Sequence, residues 1–135
     1  MQQMEVQEAR ELLYAAAKIR FPATRNDDGR RPAPQERIQA LEDHYTGCAI
    51  ARQKLEEAAL YMQSGVKALE DEWDEVEGWQ TLVGSGEKTQ KAMVAAKRQL
   101  RPDLYDGIRE GKWLADKLRT QIRRLERDEE AASRL

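Results

Sequence analysis

From Ile38 onward, twelve positions recur at alternating steps of three and four: Ile38, Leu41, Tyr45, Cys48, Arg52, Leu55, Ala59, Met62, Val66, Leu69, Trp73 and Val76. An average step of 3.5 keeps one stripe of an α-helix facing the same way. A strand cannot do this, because its side chains alternate with a period of two. Pro34 suits a first helical position, where its missing N–H costs nothing, and Glu36 complements the positive end of the helix dipole. The pattern stops at Gly78, so the sequence predicts a helix of about 44 residues and about 66 Å, too long for the interior of a small globule. Only Arg52 interrupts the apolar seam.

A second seam runs through Leu104, Ile108, Gly111, Ala115, Leu118, Ile122, Leu125, Glu129 and Ala132. Between the two seams, Gly84, Ser85 and Gly86 mark a loop, residues 87–100 are helix-prone, and Pro102 must either kink the chain or restart it as a new helix. The expected fold is all-α: a long antiparallel, coiled-coil-like helical hairpin over 35–135 with its turn near 78–87. Charge agrees with folding back. Eight acids between Glu56 and Glu77 face only Lys67, whereas Lys88, Lys91, Lys97, Arg98 and Arg101 face only Glu87, and the hairpin sets these stretches side by side. Ahead of the hairpin, Met4, Val6, Ala9, Leu12, Leu13, Ala16 and Ile19 share one side of a short helix within 1–20. Pro22, Pro32, Pro34 and the run Asn26-Asp27-Asp28-Gly29 make 21–34 a flexible linker. Composition enters at one point: Leu, Ile, Val and Phe make up less than a fifth of the 135 residues, which permits either disorder or a thin-cored helical body. The two seams decide for the helical body.

Several chemistries are excluded or disfavoured. No 18-residue apolar run exists, and a single cysteine cannot form an internal disulfide. Glu5, Glu8 and Glu11 are unlike a secretory leader, so a cytoplasmic setting is expected. The run Gly84-Ser85-Gly86-Glu87-Lys88-Thr89 has the look of a phosphate-binding loop, but Glu87 separates Gly86 from Lys88, position 81 is Thr, and a long helix precedes it. It reads as a glycine turn feeding a helix. His44 and Cys48 are one helical turn apart and could share a metal; with no second His or Cys, a zinc site would need carboxylates or another subunit. The expectation is therefore a solvated His44 beside a buried, inert Cys48, with no metal, no cofactor and no catalytic residue. The acids from Asp71 to Glu77 read as a solvated face.

Two surface features point to partners. Ile50, Leu60, Tyr61, Tyr105, Trp113 and Leu114 fall off both seams, so the N-terminal helix or a second subunit is expected to cover some of them. Trp113, Tyr61, Tyr105 and Ile50 are the partner-binding candidates, Trp113 first, because tryptophan contributes disproportionately to interfaces. The strip Lys117, Arg119, Arg123, Arg124 and Arg127 contains Glu126 as its only acid and is expected to lie opposite residues 38–48, where only Glu42 and Asp43 answer it. Its free charge suits an acidic protein surface or nucleic acid. Near-neutral net charge and the acidic arm favour protein. A protein-binding, self-associating chain without catalysis or a small-molecule substrate is the reading that results, with nucleic-acid association as its alternative.

The stretch Ala96-Lys97-Arg98-Gln99-Leu100-Arg101-Pro102-Asp103-Leu104, with the Arg-rich helix that follows it to Arg134, resembles small helical proteins encoded by phages of GC-rich bacteria. The resemblance covers the last third of the chain. It implies an accessory product that acts by binding, as an inhibitor or adaptor of a host machine or as a small virion component.

Overall fold

A computed structural model describes residues 3–83 and 89–134 of the chain. Of these, 82% are helical and none is in a strand. The elements are α1 (Gln3–Ala17), α2 (Pro34–Asp74), α3 (Trp79–Val83), α4 (Gln90–Leu100) and α5 (Pro102–Ser133). α2, at 41 residues, spans about 62 Å, and α5, at 32 residues, about 48 Å. They form the antiparallel pair: Trp73 meets Tyr105, Glu70 meets Lys112 and Arg52 meets Glu129, numbers rising on α5 as they fall on α2.

The start of α2 follows from its sequence. Pro34 occupies the first turn, and Glu36 Oε2 accepts from the Ala33 N–H at 3.3 Å, satisfying one donor the helix leaves over. The helix closes at Asp74, four residues short of the expected Gly78, and Val76 falls outside it. Gly78 has φ +85°, a left-handed conformation that a side chain would strain, and it turns the chain into α3.

The return arm differs from expectation. It begins at Pro102, which restarts the chain as a new helix, and α4 is not part of it: α4 lies against α3 and α5. α4 reaches the end of α2 through Lys97, whose Nζ donates to the Trp73 carbonyl at 2.9 Å. The register therefore shifts by about fifteen residues from the one a turn at 78–87 would give. The strip from Lys117 to Arg127 lies opposite the middle of α2, not opposite 38–48, and Arg52 faces Glu129 and not Gly111. Residues 84–88, the centre of the phosphate-loop-like sequence, are outside the described residues; Thr89 caps α4, its Oγ1 accepting from the Ala92 N–H at 3.1 Å.

α1 lies in the groove between α2 and α5 as a third helix. Small residues permit this close approach: Ala9 and Ala16 of α1 are buried in one cluster with Cys48, Leu55, Ala59, Met62, Leu114, Ala115, Leu118 and Leu125. Residues 18–33 are non-helical, as their prolines require, yet they are tied down. Arg37 donates to the carbonyls of Pro22 and Ala23, and a turn closes from the Asn26 N–H to the Arg30 carbonyl, with Gly29 at φ +84°. The chain exposes 9667 Å², against about 7,300 Å² for a compact protein of this mass, so the body is elongated and its core thin. No helix among the described residues is long and apolar enough to cross a membrane.

Gly47 sits inside α2 with nothing within 4 Å of where a Cβ would stand. Gly47→Ala is expected to stabilise the protein by about 0.8 kcal/mol, the helix-propensity difference, read as a higher urea midpoint at unchanged slope.

Candidate interaction surface

α1 divides the exposed apolar residues into two flanks. On the α5 flank, Trp113 is 51% exposed, and its ring lies between the Arg10 guanidinium of α1 and the Lys117 ammonium, each 5.6 Å from it. Arg10 is held there by Glu110, Nη2 to Oε1 at 2.8 Å. Arg10, Asp106, Arg109, Glu110 and Trp113 line an open groove of about 460 Å³. On the α2 flank, Tyr61 edges a larger groove of about 680 Å³, floored by Ala9, Leu12, Ala58 and Met62 and rimmed by charges. Ile50 is exposed on α2.

Not every candidate stands free. Tyr105 is half-buried: its ring lies 6.0 Å from Trp73, with the guanidinium of Arg98 4.4 Å above it and that of Arg109 at 5.6 Å. Leu114 is fully buried in the three-helix cluster, so α1 covers one off-seam residue and leaves Ile50, Leu60, Tyr61 and Trp113 in solvent.

The basic strip is also broken up. Arg124 faces inward across the end of α1: its Nη2 donates to the Ala16 carbonyl at 2.5 Å and its Nη1 to the Ile19 carbonyl at 3.1 Å. A helix end leaves carbonyls unpaired and carries partial negative charge, so a guanidinium there is a structural clasp and is not available to a phosphate. Lys117 lies beside the Trp113 ring and is exposed, as are Arg119, Arg123 and Arg127. Lys97 at the end of α2 repeats the device that Arg124 supplies for α1.

His44 is not solvated. It is 8% exposed, its Nε2 lies 3.1 Å from Asp128 Oδ2, and the Phe21 ring packs edge-on against it with centroids 4.9 Å apart. Cys48 Sγ lies 3.5 Å from the same Nε2. Burial, with Asp128 and Glu129 close by, pushes the Cys48 thiol up to about 11, so it stays protonated at neutral pH, and at 0% exposure it is closed to a substrate. The sequence shows His44 and Cys48 together but not Asp128, 84 residues from His44. Arg10 likewise has no sequence signal linking it to Trp113; only the docking of α1 joins them.

No family model, curated protein or solved structure matches the chain.

Proposed function

We propose that the chain works by binding another protein, without catalysis, and that Trp113 anchors the contact. The observation that carries this reading is the half-exposed indole held between Arg10 and Lys117 on two packed helices. An aromatic fixed in this way loses little side-chain entropy on binding, and a cationic rim suits a partner that presents an apolar group flanked by carboxylates. Nucleic acid ranks second because Arg124 is spent on α1 and the whole chain carries a net charge of −2. In line with the resemblance of its last third to phage accessory proteins, we infer an adaptor or inhibitor of a larger machine.

Trp113→Ala should leave the melting temperature nearly unchanged, since the ring is largely outside the core, yet weaken capture of the partner about 30-fold, the effect of losing roughly 2 kcal/mol at a hot spot. The measurement is quantitative pull-down with wild-type and variant chains, followed by titration of whatever the wild type retains. Equal retention by both chains would sink the Trp113 anchor. Capture that is nuclease-sensitive, insensitive to Trp113→Ala and lost on Arg119→Glu with Arg123→Glu would put nucleic acid in place of protein.

A further inference from the structure

The geometry points to a binding site for one divalent cation of the zinc class, formed by His44 Nε2, Cys48 Sγ and the Asp128 carboxylate. The three donor atoms lie within 4.8 Å of one another. Two of the three edges have coordination spacing, but Cys48 Sγ is also 3.9 Å from His44 Nδ1, so the sulfur stands off the Nε2 lone-pair direction and the imidazole must turn to share a cation with it. Tetrahedral zinc with ordinary bond lengths sets sulfur and nitrogen ligands about 3.5 Å apart and nitrogen and oxygen ligands about 3.3 Å apart; the observed separations are 3.5 Å from Cys48 Sγ to His44 Nε2 and 3.1 Å from that nitrogen to Asp128 Oδ2. The remaining sulfur–oxygen edge lies within 4.8 Å and has to shorten for both atoms to reach one cation.

The ligand set explains the choice of cation. Thiolate and imidazole select a borderline metal over magnesium or calcium, which require oxygen, and one carboxylate with one thiolate neutralises a dication, so no net charge is left in the site. Binding takes one proton from the Cys48 thiol, which passes to solvent, and moves the remaining imidazole proton to Nδ1. Arg124 stands 3.8 Å from Asp128, but its stronger bonds to the Ala16 and Ile19 carbonyls hold it on α1. The fourth position falls to water or to a donor from outside the chain. Because the ligands come from α2 and α5 and Phe21 covers the imidazole, the cation would clamp the hairpin beneath residues 18–33. This site is independent of the Trp113 face.

The test is titration of the full reduced chain with cobalt(II), free of chelators. The expected result is saturation at one equivalent, with a sulfur-to-cobalt charge-transfer band and the visible bands of tetrahedral cobalt, both bleached by zinc. Cys48→Ser should abolish the charge-transfer band. Asp128→Asn should weaken cobalt binding at least tenfold, and circular dichroism should show both variants helical. Zinc should also raise the melting temperature of the wild type and not that of Cys48→Ser. A folded wild-type chain that gives no charge-transfer band would overturn the proposal. So would a band that survives Cys48→Ser, since it would then arise from a ligand other than Cys48, or cobalt bound only with the spectrum of oxygen ligands, since that is adventitious carboxylate binding.

Discussion

Leu118→Ala is expected to destabilise the protein by about 3 kcal/mol and to lower its melting temperature by roughly 10 °C. Leu118 is 0% exposed and belongs to the one cluster that α1, α2 and α5 share. Truncation removes the transfer energy of the lost carbons and leaves a cavity, and this body is poorly placed to collapse around it. Four of the nine other members of that cluster are alanines, Ala9, Ala16, Ala59 and Ala115, which have no longer side chain to swing into the gap. Leu60→Ala is the matched control: the same atoms are removed from a position 66% exposed, and the change should stay within about 0.5 kcal/mol. Thermal and urea unfolding of both variants reads the difference. Equal effects would mean that α5 does not present Leu118 to the other two helices. Loss of α1 protection in hydrogen exchange should accompany Leu118→Ala, because α1 has no other hydrophobic layer on which to rest.

The helical hairpin was legible in the sequence because burial repeats along it. Leu41, Cys48, Leu55, Ala59, Met62 and Val66 of the first seam are all buried. Where the seam fails, the helix period explains it: 3.6 residues per turn drift against a 3.5 repeat, and at the far end of α2 His44 takes the inward position while Ile38 and Tyr45 turn outward. The register was not legible. Matching arm lengths and opposite charge both suggested a return starting near 87, but exposed charge pairs are worth only about 0 to 1 kcal/mol each and cannot fix register. What fixes it is Pro102, whose ring starts a new helix, and the turn of α4 away onto α3. The sequence identified the right discontinuity and left both of its outcomes open.

Function-bearing groups were harder to read, for a different reason. A lysine or arginine reads the same along the chain whether it faces water or closes a helix end. Arg124 lies 105 and 108 residues from the two carbonyls it binds, so no local pattern records its role. The same holds for Asp128 beside His44. The exposure of Trp113 was legible because a large apolar residue off the seam is conspicuous at any register, so expecting it did not depend on knowing the opposite arm.

The register itself can be tested through Arg52, the one charged residue on the apolar seam of α2. Its Nε donates to Glu129 Oε2 at 2.7 Å and its Nη1 to Glu56 Oε1 at 2.9 Å, and these hydrogen bonds hold the guanidinium above its usual range. The partners are unequally placed: the Glu129 side chain is 11% exposed and that of Arg52 28%. Removing the arginine strands a nearly buried carboxylate, whereas removing the carboxylate leaves an arginine that still holds Glu56 and reaches water. Arg52→Met should therefore cost about 2 to 3 kcal/mol and Glu129→Leu distinctly less, and the double variant should recover most of the loss because apolar residues then continue both seams. Unfolding measurements around this cycle should give a coupling energy of about 2 to 3 kcal/mol. In the register set by a turn at 78–87, Arg52 would face Gly111, the two changes would be independent, and their effects would simply add.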